Sequence, residues 1–552
     1  MLFGRSIPVS QPNFRGYFRE DELARAVYSE AAGIGRAVPS AVAVPIDAED
    51  VVALVKWAAE TGTTLIPRGS GSSMSGAAIG TGVIVDLSRI NHLGRIDDRD
   101  QTVWVEPGVL WSTLDVAARR KGLRLPADPS SGDFCTLGGM VATNAAGPHS
   151  LRYGATRAWV NALDCVFSDG DRAVITRGEP PPKRVGAVNR FMKEVHGDIV
   201  ATDKRRPIVH LGVRKESSGY AIHDYGTKAD LVDILVGSEG TLAITVGVQL
   251  KLAPLPAATS SVLGSFPSLE TATAAATTAV ETGASACELL DRTFLAYAES
   301  SGGAEADKKL KERIEGAAAI LLAEVEADST DAAAAAAERL AAAFRAAGAT
   351  TVDVALTPDA EADLWKLRHA ASPILSALEH ATSMQFIEDG AVPLPKLPDY
   401  VQGVRKALAA REVSGVIFGH AGDAHVHVNP LIDVRQPDWR KKVSDLLEDV
   451  VGLTRTLGGT LTGEHGDGRI RTPLLQRVWH KDAIRAFALV KTAFDPANIF
   501  NPGVKVPLPQ QKAIGDIKYD PSLPALPEKA RKALDAVVKD RAYDRFRLSL
   551  IE

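Results

Sequence analysis

Three loops built almost entirely of small residues set the tightest limits on how this chain can fold. The first is Pro67-Arg68-Gly69-Ser70-Gly71-Ser72-Ser73-Met74-Ser75-Gly76. The second is Cys135-Thr136-Leu137-Gly138-Gly139-Met140-Val141-Ala142-Thr143-Asn144-Ala145-Ala146-Gly147, and the third is Gly237-Ser238-Glu239-Gly240-Thr241-Leu242-Ala243-Ile244. The first follows an apolar run and can turn successive backbone N–H groups toward a pyrophosphate, with serine hydroxyls as further donors. It fits neither Gly-x-Gly-x-x-Gly nor a Walker loop, because no Gly-Lys-Ser/Thr follows. A glycine-serine turn accounts for it equally well. In the second, side chains this small let a flat ligand approach the backbone, and Thr143 and Asn144 offer polar edges. A tight turn explains each loop alone. Three in one region are harder to dismiss.

The surrounding pattern predicts what carries these loops. From Asp21 to about Leu252, short β-rich runs alternate with helical ones. The spacing predicts helices over Ala48 to Thr61 and Leu110 to Gly122, the latter closed by glycine, and strands over Thr64 to Pro67, Gly82 to Leu87 and Thr102 to Glu106. Ile234 to Leu252 reads as strand–turn–strand, with Gly237 to Gly240 as the turn. Such alternation indicates a mixed α/β nucleotide-binding domain. The Pro/Ala segment Ala253 to Ser260 marks a boundary. Beyond it, Ser268 to Thr282 and Thr330 to Ala347 are alanine-rich helices. Ala318 to Glu324 and Val416 to Gly419 read as strands, which predicts a second domain with a sheet covered by helices on one face. Leu446 to Leu457, Ala483 to Phe494 and Glu528 to Arg541 read as further helices. Prolines at 507, 509, 521, 524 and 527 space a linker before the last of these, and the 507–552 tail is either a docking arm or a disordered terminus.

Size and charge exclude several classes. The chain has 552 residues, enough for three or four structural units, with an ordinary hydrophobic content of 45% and a net charge of −5. No basic field argues for nucleic acid or an anionic membrane. Cys135, Cys165 and Cys287 are too few and too widely spaced for a disulfide framework, an iron–sulfur site or a cysteine-type zinc site. No run of about 18 apolar residues is present, so no transmembrane segment is expected. The expected setting is cytoplasmic, or peripheral at an inner membrane.

Chemistry concentrates in two later stretches, Gly419-His420-Ala421-Gly422-Asp423-Ala424-His425-Val426-His427-Val428-Asn429 and Gly463-Glu464-His465-Gly466-Asp467-Gly468. They hold four of the twelve histidines, one beside a glutamate. Two imidazoles and one carboxylate leave an open coordination position, as a catalytic divalent metal requires. A histidine beside the glutamate could then act as a base on whatever the metal holds. Structural histidines in glycine-rich turns are the alternative.

Together these motifs resemble a known family. The three small-residue loops look like the FAD-binding domain of the vanillyl-alcohol oxidase/p-cresol methylhydroxylase superfamily. The histidine motifs and Asn498-Ile499-Phe500-Asn501-Pro502-Gly503 resemble its FAD-dependent D-2-hydroxyacid dehydrogenases, the D-lactate, D-2-hydroxyglutarate and glycolate dehydrogenase group. The resemblance implies an α+β fold: a two-part FAD-binding domain of vanillyl-alcohol oxidase type, plus a cap domain with an antiparallel sheet flanked by helices. The expected layout is an FAD-binding domain over 1–252, a substrate and cap domain with the metal site over 253–455, a segment returning to the FAD domain over 456–506, and the linker and helical tail over 507–552.

The resemblance also implies roles. Pro67, Arg68, Gly69, Ser70, Gly71, Ser72, Ser73 and Gly76 would bind the FAD pyrophosphate. Gly138, Gly139, Thr143, Asn144, Gly147, Glu239, Gly240, Ile244 and Asn501 would line the cofactor. Ser72 stands where covalent-flavin members commonly carry histidine, so the FAD is expected to be non-covalent. His420, His427 and Glu464 match the ligands of a divalent metal, usually zinc, and His465 matches the catalytic base. Arg368 would grip the carboxylate of a small 2-hydroxyacid, with Ser372 one helical turn on, and Asn429 would face the substrate.

Two departures stand out. His425 replaces the usual asparagine between the ligand histidines and is either an alternative ligand or a supporting group. Ile387 stands where many relatives have a substrate-binding lysine, which weakens the case for a dicarboxylate unless Lys366 or Arg471 substitutes. The implied activity is oxidation of a D-2-hydroxyacid to the 2-oxoacid by hydride transfer to flavin N5. Electrons would pass to a separate acceptor: a quinone, an electron-transfer flavoprotein, a cytochrome or an iron–sulfur subunit. A homodimer is compatible with this. An oxidase of another alcohol or sugar, and the flavin subunit of a glycolate oxidase-like complex, remain the alternatives.

Overall fold

A computed structural model describes residues 11–301, 313–369 and 381–552. The N-terminal half holds two four-stranded sheets. In the first, the order is Tyr17–Arg19, Ala41–Val44, Val83–Asp86, Leu65–Arg68, the last three strands running parallel. The Ala48–Thr61 helix forms as its spacing predicts. Asp47 caps its first turn, Gly62 ends it at φ +69°, and Val51, Leu54, Val55 and Ala58 bury its inner face. The second sheet is antiparallel, in the order Thr102–Val105, Ile244–Lys251, Val160–Val166, Arg172–Thr176. One expected strand is a helix instead: Leu231–Leu235 is a short, fully buried helix capped by the Asp230 carboxylate. An apolar run this short has no period that separates strand from helix, and the cap decides it.

The second domain is built on an antiparallel sheet. Among the described residues, seven of its eight strands run in the order Thr351–Ala355, Ala258–Phe266, Ala319–Ala327, Ala286–Asp291, Ser414–Gly419, His425–Ile432, Thr382–Ser383, and the eighth, Gly390–Ala391, also pairs with His425–Ile432. The expectation of helices on one face is corrected. Leu321, Ala323 and Val325 pack under the helices Leu269–Glu281, Thr330–Ala346 and Leu397–Ala410. Ile320 and Leu322 point the other way, against Phe294, Leu295, Leu364 and Leu367. The Ala319–Ala327 strand is apolar on both sides, the mark of a sheet covered twice.

The chain then returns to the first domain. Along the first sheet's edge, Leu65 N donates to the Ile499 carbonyl at 2.7 Å and its carbonyl accepts from Asn501 N at 2.8 Å. Residues 507–552 are neither a free arm nor a disordered end. Ile517 bridges Gly35, and the Glu528–Asp540 helix buries Ala533 and Leu534 against Ala24, Val27 and Tyr28. Exposed charge and five prolines hid this docking from pattern reading, because the apolar stripe is only four residues wide. Among the described residues, no helix is long and apolar enough to cross a membrane.

Candidate active site

The Ser414–Gly419 and His425–Ile432 strands form a hairpin whose turn carries His420, and whose second strand aims His425 and His427 to one face. The Gly463–Gly468 loop lies against them. His420 Nε2 and His427 Nε2 lie 3.3 and 3.4 Å from the same atom, Glu464 Oε1. Their other ring nitrogens are anchored. His420 Nδ1 meets Glu288 Oε1 at 2.6 Å, and His427 Nδ1 meets the Glu388 carbonyl at 2.9 Å. Fixed tautomers, a carboxylate behind one imidazole and a carbonyl behind the other are the supports that metal-ligating histidines use. Burial pushes His427 down, so its imidazole is neutral and free to coordinate. The nitrogen and oxygen donors of His420, His427 and Glu464 therefore fit a divalent cation such as zinc.

His425 is fully buried. Its Nε2 meets Asp389 Oδ1 at 2.9 Å, while Nδ1 has no partner. It belongs to the same convergent group as His420, His427 and Glu464, whose ligand atoms lie within 4.8 Å of one another. Burial holds it neutral, down to about 3.

His465 sits beside this group. Its Nε2 is 3.8 Å from Glu464 Oε1, and its Nδ1 is 3.3 Å from Glu388 Oε1 and 3.5 Å from Asp389 Oδ1. Burial pulls this imidazole's pKa down, but Asp389, Glu388 and Glu464 more than offset it and raise it to about 9. Arg471 pairs with Glu388 and Asp389 and donates to the Gly466 carbonyl at 2.7 Å, locking the loop that presents His465.

Arg368 lies at the end of the Pro358–His369 helix, buried, with its guanidinium 5.4 Å from the Phe418 ring centre. Its Nε donates to Glu288 Oε2 at 2.5 Å. Glu288, which no sequence pattern singled out, thus holds both Arg368 and His420. Burial pushes its carboxyl up, but His420 and Arg368 hold it well below the ordinary carboxylate range. Lys215 was missed too. It is buried, and its Nζ lies 3.0 Å from Glu464 Oε2 and 3.8 Å from Asp423 Oδ2. Isolated residues from distant strands and loops carry no local signal; only the fold collects them. Asn429 is buried with Oδ1 unpartnered, facing the same space. Ser372 lies outside the described residues. Lys366 is exposed and paired with Asp363, and Ile387 is packed in the hydrophobic core, so neither supplies a cation to the site.

A cavity of about 570 Å³ runs from this cluster into the N-terminal half. Arg368, Glu388, His427, Asn429, Glu464 and His465 line one part. Pro67, Arg68, Gly69, Ser70, Gly71, Ser72, Ser73, Gly138, Gly139, Thr143, Glu239, Gly240 and Ile244 line much of the rest. The buried Ser73 hydroxyl and Arg68 Nε lack partners there, donors suited to a diphosphate.

Gly76, Asn144, Gly147 and Asn501, also expected near the cofactor, lie outside the lining of this cavity. Asn144 ends the Leu137–Thr143 helix in the left-handed region, at φ +53°, and its side chain accepts from Arg157 N. Asn501 donates to the Ala77 and Glu239 carbonyls. Gly147 gives Asp128 room, since a Cβ there would lie 2.2 Å from its carbonyl oxygen. Gly76 turns at φ +83° against Arg469. The Glu239 carboxylate faces protein, accepting from Asp467 N and Gly468 N and pairing with Lys505 at 2.9 Å. It ties the third loop to the His465 loop.

Residues 39–176 match the model of an FAD binding domain, and residues 255–504 match that of the C-terminal domain of FAD linked oxidases. The chain is 30% identical to an uncharacterized FAD-linked oxidoreductase of Mycobacterium tuberculosis, over 84% of this chain and 90% of that one. It is 29% identical to the glycolate oxidase subunit GlcD of Bacillus subtilis, covering 88% and 93% of the two chains, and 29% identical to a D-lactate dehydrogenase of Anaerostipes hadrus, covering 86% and 91%. Among solved structures, a 4-ethylphenol oxidase from Gulosibacter chungangensis superposes with a TM-score of 0.65 at 17% identity, over 90% of this chain and 95% of that one, a likeness of fold.

Proposed function

The chain belongs to the FAD-dependent D-2-hydroxyacid dehydrogenase family of the vanillyl-alcohol oxidase/p-cresol methylhydroxylase flavoproteins, and on that premise we propose that it oxidises a small D-2-hydroxy monocarboxylate of the lactate type to the 2-oxoacid, with a divalent cation at His420, His427 and Glu464. The observation that carries this reading is the convergence of two imidazole Nε2 atoms on one carboxylate oxygen beside Arg368. When bound, the flavin would supply the acceptor for the C2 hydrogen and its electron pair, and the cation the Lewis acidity that favours the alkoxide.

The chain's own residues bind, orient and deprotonate. Arg368 holds the substrate carboxylate through the two guanidinium nitrogens that Glu288 leaves open. Asn429, buried with its Oδ1 unpartnered, offers the bound substrate a polar wall. His465 takes the C2 hydroxyl proton in its neutral form, and Glu388 and Asp389 then stabilise the imidazolium. Phe418 and the cluster's own packing keep bulk water from the reacting carbon, so that orientation contributes to the rate. The monocarboxylate preference rests on charge. Arg471 is committed to Glu388 and Asp389, Lys366 is exposed, and Ile387 is apolar, so none of these three positions offers a second carboxylate a cation, and the cavity wall beside Arg368 is the uncharged Thr382, Ser383 and Gln385.

The test is anaerobic flavin bleaching by protein loaded with FAD and zinc. D-lactate or glycolate should bleach the visible band, D-2-hydroxyglutarate should do so more slowly, and chelator should abolish the response while FAD stays bound. Bleaching that survives complete metal removal would refute the metal. Faster bleaching by D-2-hydroxyglutarate would refute the monocarboxylate.

A further inference from the structure

Beyond residue 504, where the family match ends, the chain builds another wall of the cofactor cavity. Lys518, Tyr519, Val538, Arg541 and Tyr543 line the same space as the Gly69–Ser73 loop. Arg541 ends the Glu528–Asp540 helix in the left-handed region, at φ +53°, which turns the chain back toward the cavity. Its guanidinium lies 5.0 Å from the Phe134 ring centre, and the Tyr543 ring is 5.4 Å from the same ring.

Arg547 goes deeper. It is 3% exposed, its Nη2 donates to the Ser70 carbonyl at 3.4 Å, and its Nε and Nη1 have no partner. Arg68, 2% exposed, gives Nη1 and Nη2 to the carbonyls of Tyr28, Ala78 and Glu30, and its Nε is also open. Burial and then the charge of Arg68 push Arg547 down to about 10. The buried Asp86 carboxylate, which accepts from the Tyr28 hydroxyl, answers part of this charge, and Arg547 packs behind Ser70 outside the cavity lining. The contacts of Arg541, Tyr543 and Arg547 run to the first loop and Phe134, and none runs to the histidine cluster. A flavin whose ring faces that cluster leaves its diphosphate at the first loop and its adenosine on the tail side.

We infer that the C-terminal segment is a cofactor clamp: Arg541 with Tyr543 closes over the adenosine half of FAD, and Arg547, behind them, holds the backbone of the loop that meets the diphosphate. This rests on the chain holding FAD. The segment is suited to the task because it is fixed to the first domain independently. Lys518 Nζ donates to the Ala31 and Ala32 carbonyls at 3.0 and 3.1 Å, and Arg531 Nη1 pairs with Glu30 at 3.0 Å.

The test is FAD affinity, read from quenching of flavin fluorescence on titrating the full-length apoprotein. Arg541→Gln should raise the FAD dissociation constant about tenfold or more, the worth of a lost charge-assisted hydrogen bond, and Arg547→Gln, which only loosens the Ser70 loop, should raise it by less. Arg545→Gln, exposed in the same tail, should leave it unchanged. Hydrogen exchange of wild type gives a readout that needs no variant: amides of residues 541–552 should slow when FAD is added. Unchanged affinity in both variants, or tail exchange indifferent to FAD, overturns the clamp while leaving the flavoprotein reading intact. A wild type that takes up no FAD overturns both.

Discussion

Glu288→Gln separates a positioning carboxylate from a merely buried one. Glu288 is fully buried and accepts from His420 Nδ1 at 2.6 Å and Arg368 Nε at 2.5 Å. Glutamine keeps the shape but presents one oxygen and one NH₂ group to two N–H donors, so one donor must face another. A hydrogen bond to a charged group contributes about 1.5–3 kcal/mol, and stranding one partner of a buried pair costs roughly 3–5 kcal/mol. A loss of about 3 kcal/mol is expected, equivalent to roughly a hundredfold in an equilibrium constant. It should show in two places. Zinc affinity, measured by competition with a chromophoric chelator, should fall about 10–100-fold because the His420 ring is no longer held. KM for the hydroxyacid should rise because Arg368 loses its anchor. FAD affinity should not change, since Glu288 is not part of the cofactor channel. Unaltered zinc affinity together with an unaltered urea midpoint would refute the reasoning.

Three further outcomes follow from the same geometry. His465→Gln should lower the rate of anaerobic flavin reduction by about 10²–10⁴-fold, the range for a lost general base, while FAD and metal are retained; a smaller loss in stopped-flow traces would assign the proton to another group. His149 spans the two domains, 2.6 Å from Asp128 and 2.9 Å from Glu324; burial opposes its charge, but these carboxylates raise its pKa well above the ordinary histidine value. Its stabilisation is therefore complete below about pH 6.5 and fades as pH rises through the folded value, so the urea midpoint of His149→Gln should trail wild type at pH 6 and converge with it in alkali; a gap that is constant with pH would contradict this. Gly69→Ala puts a Cβ 2.2 Å from Thr136 Oγ1, the cap of the Leu137–Thr143 helix, and should weaken FAD binding and cost about 1–2 kcal/mol in urea unfolding.

The local signals in the sequence were those that one element can carry. The 3.6-residue period of Ala48–Thr61, the paired histidines two apart on a strand and the small-residue loops were all legible, and resemblance supplied their roles. What stayed hidden has a common physical cause. Leu231–Leu235 is too short for periodicity to choose its state. The second helical face of the cap sheet depends on Phe294 and Leu364, which look like ordinary amphipathic positions until the sheet exists. Glu288, Lys215 and Arg547 are lone charges in unremarkable contexts, and burial beside a partner hundreds of residues away is what gives them meaning. Asn144 and Asn501 show the converse: polar residues within recognisable motifs whose side chains serve the backbone around the cavity rather than the cavity itself.

Charge balance joins these observations. Around the cluster five buried carboxylates, Glu288, Glu388, Asp389, Asp423 and Glu464, face three buried fixed cations, Lys215, Arg368 and Arg471. Leaving that excess uncompensated in a low-dielectric interior is costly. Within the chain alone the histidines answer it: His420 and His465 are both raised above the ordinary imidazole value by the carboxylates around them, while burial lowers His425 and His427. The shortfall is two charges, and it falls where two imidazole nitrogens and one carboxylate oxygen converge. A divalent cation has the charge that would let His420 and His465 return to their neutral forms, one to coordinate and the other to accept a proton. On this view Lys215 and Arg471 tune the site proposed for a divalent cation: each offsets one negative charge of the cluster.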